Sequence, residues 1–188
     1  MEGSPMGALS MATSHHIGLH HLPPILRTFA TQYPEVDLDL SFMDSENACK
    51  LIERNELDLA VVTLPRVETA SLAYFTIWID ELVIVCARDH PLTEIKHPVI
   101  ENLTEHLAVL PSHGTFTREA IELSLTQIRE RININLETNY LETIKMMVSV
   151  GLGWSILPFS MLDSSLHHLH IPTFHSSRKL GIIVKKTR

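Results

Sequence analysis

Asn55-Glu56-Leu57-Asp58-Leu59-Ala60-Val61-Val62-Thr63-Leu64 is the stretch that decides the fold. From Leu57 to Leu64 it is almost continuously apolar, the pattern of a parallel strand covered on both faces. Upstream, residues 36–43 alternate Val36, Leu38, Leu40 and Phe42 against Asp37, Asp39 and Ser41, so this strand buries one face. Between the two, Ala48, Leu51 and Ile52 repeat at helical spacing behind Asp44 or Ser45, either of which can cap a helix. Earlier still, residues 9–12 read as a short first strand and 13–21 as a loop. Ile25, Leu26, Phe29, Ala30 and Tyr33 then form a helical apolar face, ended by Tyr33-Pro34. Pro23 and Pro24 suit an early turn or a kink better than a helix interior. Three strands alternating with two helices make a βαβαβ lobe, with right-handed crossovers expected.

Downstream the same logic repeats without a sequence repeat. Strands are expected over residues 81–87, 107–110, 132–137, 154–157, 166–171 and 180–185, with a turn at Asp89-His90-Pro91. A polar loop over 111–117 precedes a helix carrying Ile121, Leu125 and Ile128. Residues 141–150 form another helix, with Ile144, Met147 and Val148 inward and Gly151 as its stop.

Composition narrows the function classes. An apolar fraction of 45% over 188 residues suits a folded domain or two small lobes. No apolar run approaches the roughly 20 residues that span a bilayer, so no membrane partner is expected. The formal charge of −7, with no basic cluster longer than Lys185-Lys186, would repel nucleic acid from most of the surface. Cys49 and Cys86 lie in apolar segments and read as buried free thiols, in keeping with a cytoplasmic location. Met1 to Gly7 resembles a leader peptide added for expression, and no secretory signal is visible.

Polar groups gather where strands finish. Thr13, Ser14 and His16 follow the first strand, Ser45 opens a helix, and Thr63 ends the apolar strand. Hydroxyls and unpaired N–H groups at such positions can bind an anion or carbonyl, and serve equally as plain caps. In the second half, His113, Thr115 and Thr117 precede a helix, and Arg118 can supply charge or pair with Glu119 or Glu122. Twelve histidines raise the question of a metal. His16 and His20 would share a helical face, but no HExxH or CxxC pattern exists, so no metal site and no cofactor is assigned. Gly151-Leu152-Gly153 closes a helix and opens a strand, the reverse of a dinucleotide loop. No nucleophile elbow, phosphate loop or triad spacing is present, and binding is expected rather than catalysis.

Four segments resemble one family in order and spacing, the effector-binding domain of LysR-type transcriptional regulators. They are His21-Leu22-Pro23-Pro24-Ile25-Leu26 running on to Tyr33-Pro34-Glu35-Val36, Asn55 to Val61, His90-Pro91-Leu92, and residues 148–158. The resemblance implies an α/β, type 2 periplasmic-binding-protein-like fold of two Rossmann-like subdomains joined by two crossovers. It places subdomain I at residues 8–80 and 178–188, and subdomain II at 81–177, with residues 1–7 as the leader. It further implies a small effector held between the lobes by Thr13, Ser14, His16, Ser45, Thr63, His113, Thr115 and Thr117; the hydroxyl-rich helix N-termini with little fixed positive charge point to a polar, anionic one. A homodimer or tetramer is implied, with promoter DNA bound only through an N-terminal winged helix-turn-helix outside this sequence. A transporter's solute-binding protein, which shares the fold, is the alternative.

Overall fold

The structure, a computed structural model, describes residues 5–186. It divides into two compact units, Met1–Trp78 with Lys179–Arg188, and Ile79–Arg178. These breaks differ from the expected 80/81 and 177/178. Asp80 and Arg178 belong to the same unit, where they form an ion pair.

The first unit is built on β1 (Gly7–Thr13), with β2 (Val36–Phe42) and β3 (Leu59–Thr63) parallel to it on either side. Beyond β3 the sheet continues into β9 (Ser176–Lys185), antiparallel, and then β4 (Leu72–Ala87). The decisive apolar stretch behaves as its composition requires. Ala60 and Val62 pack with Ala48 and Ile52 of α3 (Ser45–Glu53) on one face, and Val61 packs with Ile17 and Leu22 on the other. Burying a side chain such as Ile52, fully enclosed, is worth about 1.5–3 kcal/mol.

Four expectations need correction here. Gly7, read as leader, is the first residue of β1 and faces Val36; Met1 to Ser4 lie outside the described residues. The expected loop over 13–21 contains a helix, α1 (His15–His20), held by the complete burial of Ile17. Ile17 and Leu19 among histidines give no helical period, so tertiary burial decides this turn. In α2 (Pro23–Gln32) the two prolines occupy the first turn, where a missing N–H costs nothing, and no kink follows. Its expected apolar face is only partly covered, with Ile25 exposed, Phe29 half-buried and Leu26 packed against the core around Ile17 and Leu22. Finally, the expected strand at 81–87 is only the end of the 16-residue β4. The aromatic and β-branched run Tyr74-Phe75-Thr76-Ile77-Trp78-Ile79 carries the rest, as strand propensity favours. Backbones come unusually close beside it. A Cβ on Gly181 would overlap the Phe75 carbonyl.

In the second unit the later part of β4 pairs antiparallel with β7 (Ser155–Pro158) and β8 (Leu166–His168). A parallel pair, β5 (Leu107–Leu110) and β6 (Asn133–Glu137), joins through an Ala108–Trp154 bridge. Trp154 is fully buried and donates Nε1–H to the carbonyls of Leu103, at 3.0 Å, and His106, at 3.2 Å. The helices are α4 (Phe116–Ser124) and α5 (Leu141–Ser149), the latter burying Ile144 and Val148, with Met147 half-buried. Gly151, at φ 85°, lets the chain turn out of α5 in a backbone conformation that glycine tolerates. The strand expected to reach residue 171 stops at His168, with one further sheet bond from Leu169 N–H to Ile84 O.

Cys49 and Cys86 are free, half-buried and buried respectively. Desolvation pushes both thiols up to about 11, and the charges of Glu46 and Glu53 add to the effect at Cys49. Among the described residues, no helix is long and apolar enough to cross a membrane.

Candidate functional site

In the first unit the candidate side chains stand where strands give way to helices. Thr13 is the last residue of β1, opposite Phe42 and Val61. Its Oγ1 donates to Val61 O at 2.8 Å, so its proton is committed to holding β1 against β3. Ser14 takes the N-cap position of α1 with an extended backbone, and its hydroxyl makes no capping bond. His16 is 5% exposed, its ring 4.8 Å from that of His20 and 5.8 Å from that of His21. His21 in turn lies 4.8 Å from Trp78. His16 and His20 sit at i and i+4 on α1 and share a face there.

Ser45 and Thr63 are brought together. The Thr63 N–H donates to Ser45 Oγ at 3.1 Å, and both residues are buried. Ser45 is thereby an acceptor toward the backbone, which turns its own hydroxyl hydrogen to another acceptor. Asp58, just before β3, accepts from the backbone N–H of Ser10, at 2.8 Å, and from its hydroxyl, at 2.7 Å. Those bonds hold its carboxyl below the usual range and fix the entry to β3.

The second unit places its three candidates differently. Thr115 is the N-cap of α4: its Oγ1 accepts from Arg118 N–H at 3.2 Å and donates to Ser112 O at 2.9 Å. With both functions used, it is a cap. His113 is largely exposed and lies 3.4 Å from Glu122. Thr117, inside the first turn of α4, accepts from Arg178 Nη1–H at 2.8 Å. Arg118 is buried and structural, bound to Glu122 and Glu137 at 2.8 Å each and to Pro111 O at 2.7 Å. The expected alternative partner Glu119 is exposed.

Sequence reasoning missed Asp80 and Arg178. Arg178 Nε–H donates to Asp80 Oδ2 at 2.8 Å, and Nη2 lies 2.8 Å from the same oxygen. Burial works to lower the guanidinium pKa, and the Asp80 charge opposes it. A separation of 98 residues hides the pairing. The one available signal was a lone arginine at the head of a strand.

The model of the LysR substrate binding domain family matches residues 2–188. The chain belongs to that family. Among curated proteins, this LysR-type domain is 30% identical over 184 residues to the HTH-type transcriptional regulator CysL of Bacillus subtilis (strain 168). That match covers 94% of this chain and 60% of CysL. It is 28% identical over 194 residues to the HTH-type transcriptional activator CmpR of Synechocystis sp. (strain ATCC 27184 / PCC 6803 / Kazusa), covering 100% of this chain and 63% of CmpR. The chain thus spans less than two thirds of the length of these relatives.

Among solved structures, the regulatory domain of CcmR from Synechocystis PCC6803, in complex with 2-PG, matches with TM-score 0.82 and 26% identity. The match covers 97% of this chain and 89% of that one. The cofactor-binding domain of the Cbl transcriptional regulator matches with TM-score 0.85 and 21% identity, covering 100% of this chain and 84% of that one, a likeness of fold. The expected type 2 periplasmic-binding-protein-like α/β architecture is that of these LysR regulatory domains.

Proposed function

We propose that this chain is the effector-sensing domain of a LysR-type transcriptional regulator, and that it binds a small polar molecule carrying a carboxylate or other anionic group. The observation that carries the reading is the Ser45–Thr63 arrangement. A buried hydroxyl fixed as an acceptor on its protein side is a donor on its other side, and a donor at a strand end suits an anionic oxygen. Ser14, at the head of α1, adds a hydroxyl that capping does not use. The complex of the similar CcmR domain with 2-PG supports a ligand-sensing role.

Thr13, His16 and His113 complete the proposed contact set with Thr117, and Thr115 shapes the loop. Thr13 takes part through its methyl group, its hydroxyl being committed. Effector binding would favour whichever state of the domain contacts the ligand better. In the intact regulator, a cytoplasmic dimer or tetramer, that shift would change how a winged helix-turn-helix outside this chain meets promoter DNA. The role is binding without turnover.

The test is a thermal-shift and calorimetric screen of the domain against small carboxylates, phosphate monoesters, amino acids and their neutral amides. Saturable stabilisation by an anionic member, about 2.7 kcal/mol at a hundredfold excess over Kd, is expected. Ser14→Ala and Thr63→Val should each weaken it. Equal affinity in both variants would sink the contact set, and preference for the neutral amides would sink the ligand class.

A further inference from the structure

The second unit contains a chain of charge and hydroxyl that the proposed contact set does not explain. Asp80 near the middle of β4 accepts from Nε–H of Arg178, at the head of β9, and Nη2 lies 2.8 Å from the same oxygen. The remaining terminal nitrogen, Nη1, donates to Thr117 Oγ1 at 2.8 Å. Arg178 is 7% exposed and Asp80 8%, whereas Thr117 is half-buried at the N-terminal turn of α4. The arginine is therefore fixed by its carboxylate, and one arm is aimed at a hydroxyl that reaches further out than the arginine does.

A hydroxyl has one hydrogen. Because Thr117 Oγ1 is an acceptor toward a guanidinium, its own hydrogen points to a different acceptor, and the neighbouring cation polarises the O–H bond. Thr115, two residues earlier, has the opposite arrangement and spends its hydrogen on Ser112 O. Thr115, the N-cap of α4, and Thr117, in its first turn, thus have different roles, the first bonded locally and the second to Arg178. Asp80 limits the positive charge behind Thr117, since a guanidinium paired at 2.8 Å presents little net charge to a visitor.

Resting on the reading of an anion-sensing domain, we propose that Arg178 is the positioning residue that makes Thr117 an anion-reading donor, with Asp80 setting the strength of that preference. Thr117 touches the effector's anionic oxygen; Arg178 acts through Thr117; Asp80 acts through Arg178. Effector charge selectivity in the second unit is thereby determined by an ion pair that does not itself reach the ligand.

The experiment follows inorganic phosphate and a small carboxylate, acetate, by NMR and calorimetry on the intact domain. The readouts are the Thr117 amide and Arg178 Nε–H signals together with the affinities. In the wild type, a saturable shift at Thr117 is expected. Thr117→Val should weaken phosphate binding at least tenfold, the loss of a hydrogen bond to a charged group, and Thr117→Ser should restore it. Arg178→Met should weaken binding to a similar extent. Asp80→Asn should lower the melting temperature yet strengthen phosphate binding several-fold, with no change for a neutral amide. A merely structural ion pair would not give that opposite sign. If Asp80→Asn fails to fold, the Thr117→Val and Thr117→Ser pair decides by itself. Phosphate binding that Thr117→Val and Arg178→Met leave unchanged overturns this inference and leaves the anion-sensing reading standing. No response of the wild type to phosphate, acetate or any anion of the wider screen overturns both.

Discussion

The two units handle buried polarity in different ways. Among the described residues, the buried polar side chains of the first unit are Thr13, His16, Ser45 and Thr63, without one permanently charged group. Those of the second are Asp80, His90, Arg118, Ser155 and Arg178, three of them charged. The first unit satisfies buried hydroxyls through backbone groups of its own sheet, as Thr13 does with Val61 O and Ser45 with Thr63 N–H. The second relies on ion pairs, from Arg118–Glu122 within one helix to Arg178–Asp80 across 98 residues. Neutral hydroxyls cost little to bury once bonded, while buried charges are tolerated only when paired. The first unit should therefore lose stability in small steps, and the second in large ones.

The largest step tests that contrast directly. Arg118→Ala leaves Glu137 and the partly buried Glu122 without their cation and the Pro111 carbonyl without its donor. A loss of about 3–5 kcal/mol is expected in urea unfolding. A loss below about 1 kcal/mol would show that these carboxylates relax into water and would remove the distinction between the units. Ser45→Ala comes next. It deprives the buried Thr63 N–H of its acceptor, which should cost about 1–3 kcal/mol. If Ser45→Ala instead matched Arg118→Ala, the first unit would be as brittle as the second.

Acid provides a smaller, reversible probe of the second unit. Burial lowers the pKa of His90, and the nearby His106 charge adds to this against the opposing Asp89. Geometry agrees, because His90 Nδ1 accepts the Leu92 N–H at 3.2 Å and so stays unprotonated. A depressed histidine is neutral when folded and takes up a proton when unfolded. Its contribution is complete above the unfolded value of about 6.5 and is lost as pH falls through that value toward the lower folded one. His90→Gln should flatten this part of the stability–pH curve, and an unchanged slope would assign it to other groups.

The smallest effects concern the thiols, one in each unit. With both held near 11, neither Cys49 nor Cys86 should react quickly with a disulfide reagent at neutral pH. Their labelling rates then report the local opening of each unit separately. Cys49, half-buried on α3, should react first, and faster labelling of Cys86 would reverse the expected order.

How far the sequence alone could reach is clear from particular residues. Leu57 to Leu64 announced a doubly covered strand because its composition leaves no polar face, and β3 is that strand. Gly151 announced the end of α5 because few other residues tolerate its backbone. By contrast, α1 was invisible, since its six residues owe their helix to one buried isoleucine. The strand ends that carry hydroxyls were readable as positions. Which of those hydroxyls has a hydrogen to give was not, because this depends on partners tens of residues away. Thr13 donates across 48 residues and Thr117 receives from Arg178 across 61. Thr115 is set apart by its local capping bonds, whereas nothing local announces that Thr117 receives from Arg178.

Gly181 has a genetic consequence. With the Phe75 carbonyl occupying the space where a Cβ would stand, even alanine requires β9 and β4 to move apart. The clash is with backbone, so no repacking of side chains can relieve it. A Gly181→Ala allele should therefore behave as temperature-sensitive, with the domain unfolded at high temperature and folded as the wild type at low. Suppressors should arise outside the core, among changes that raise stability generally, since no single compensating side chain exists.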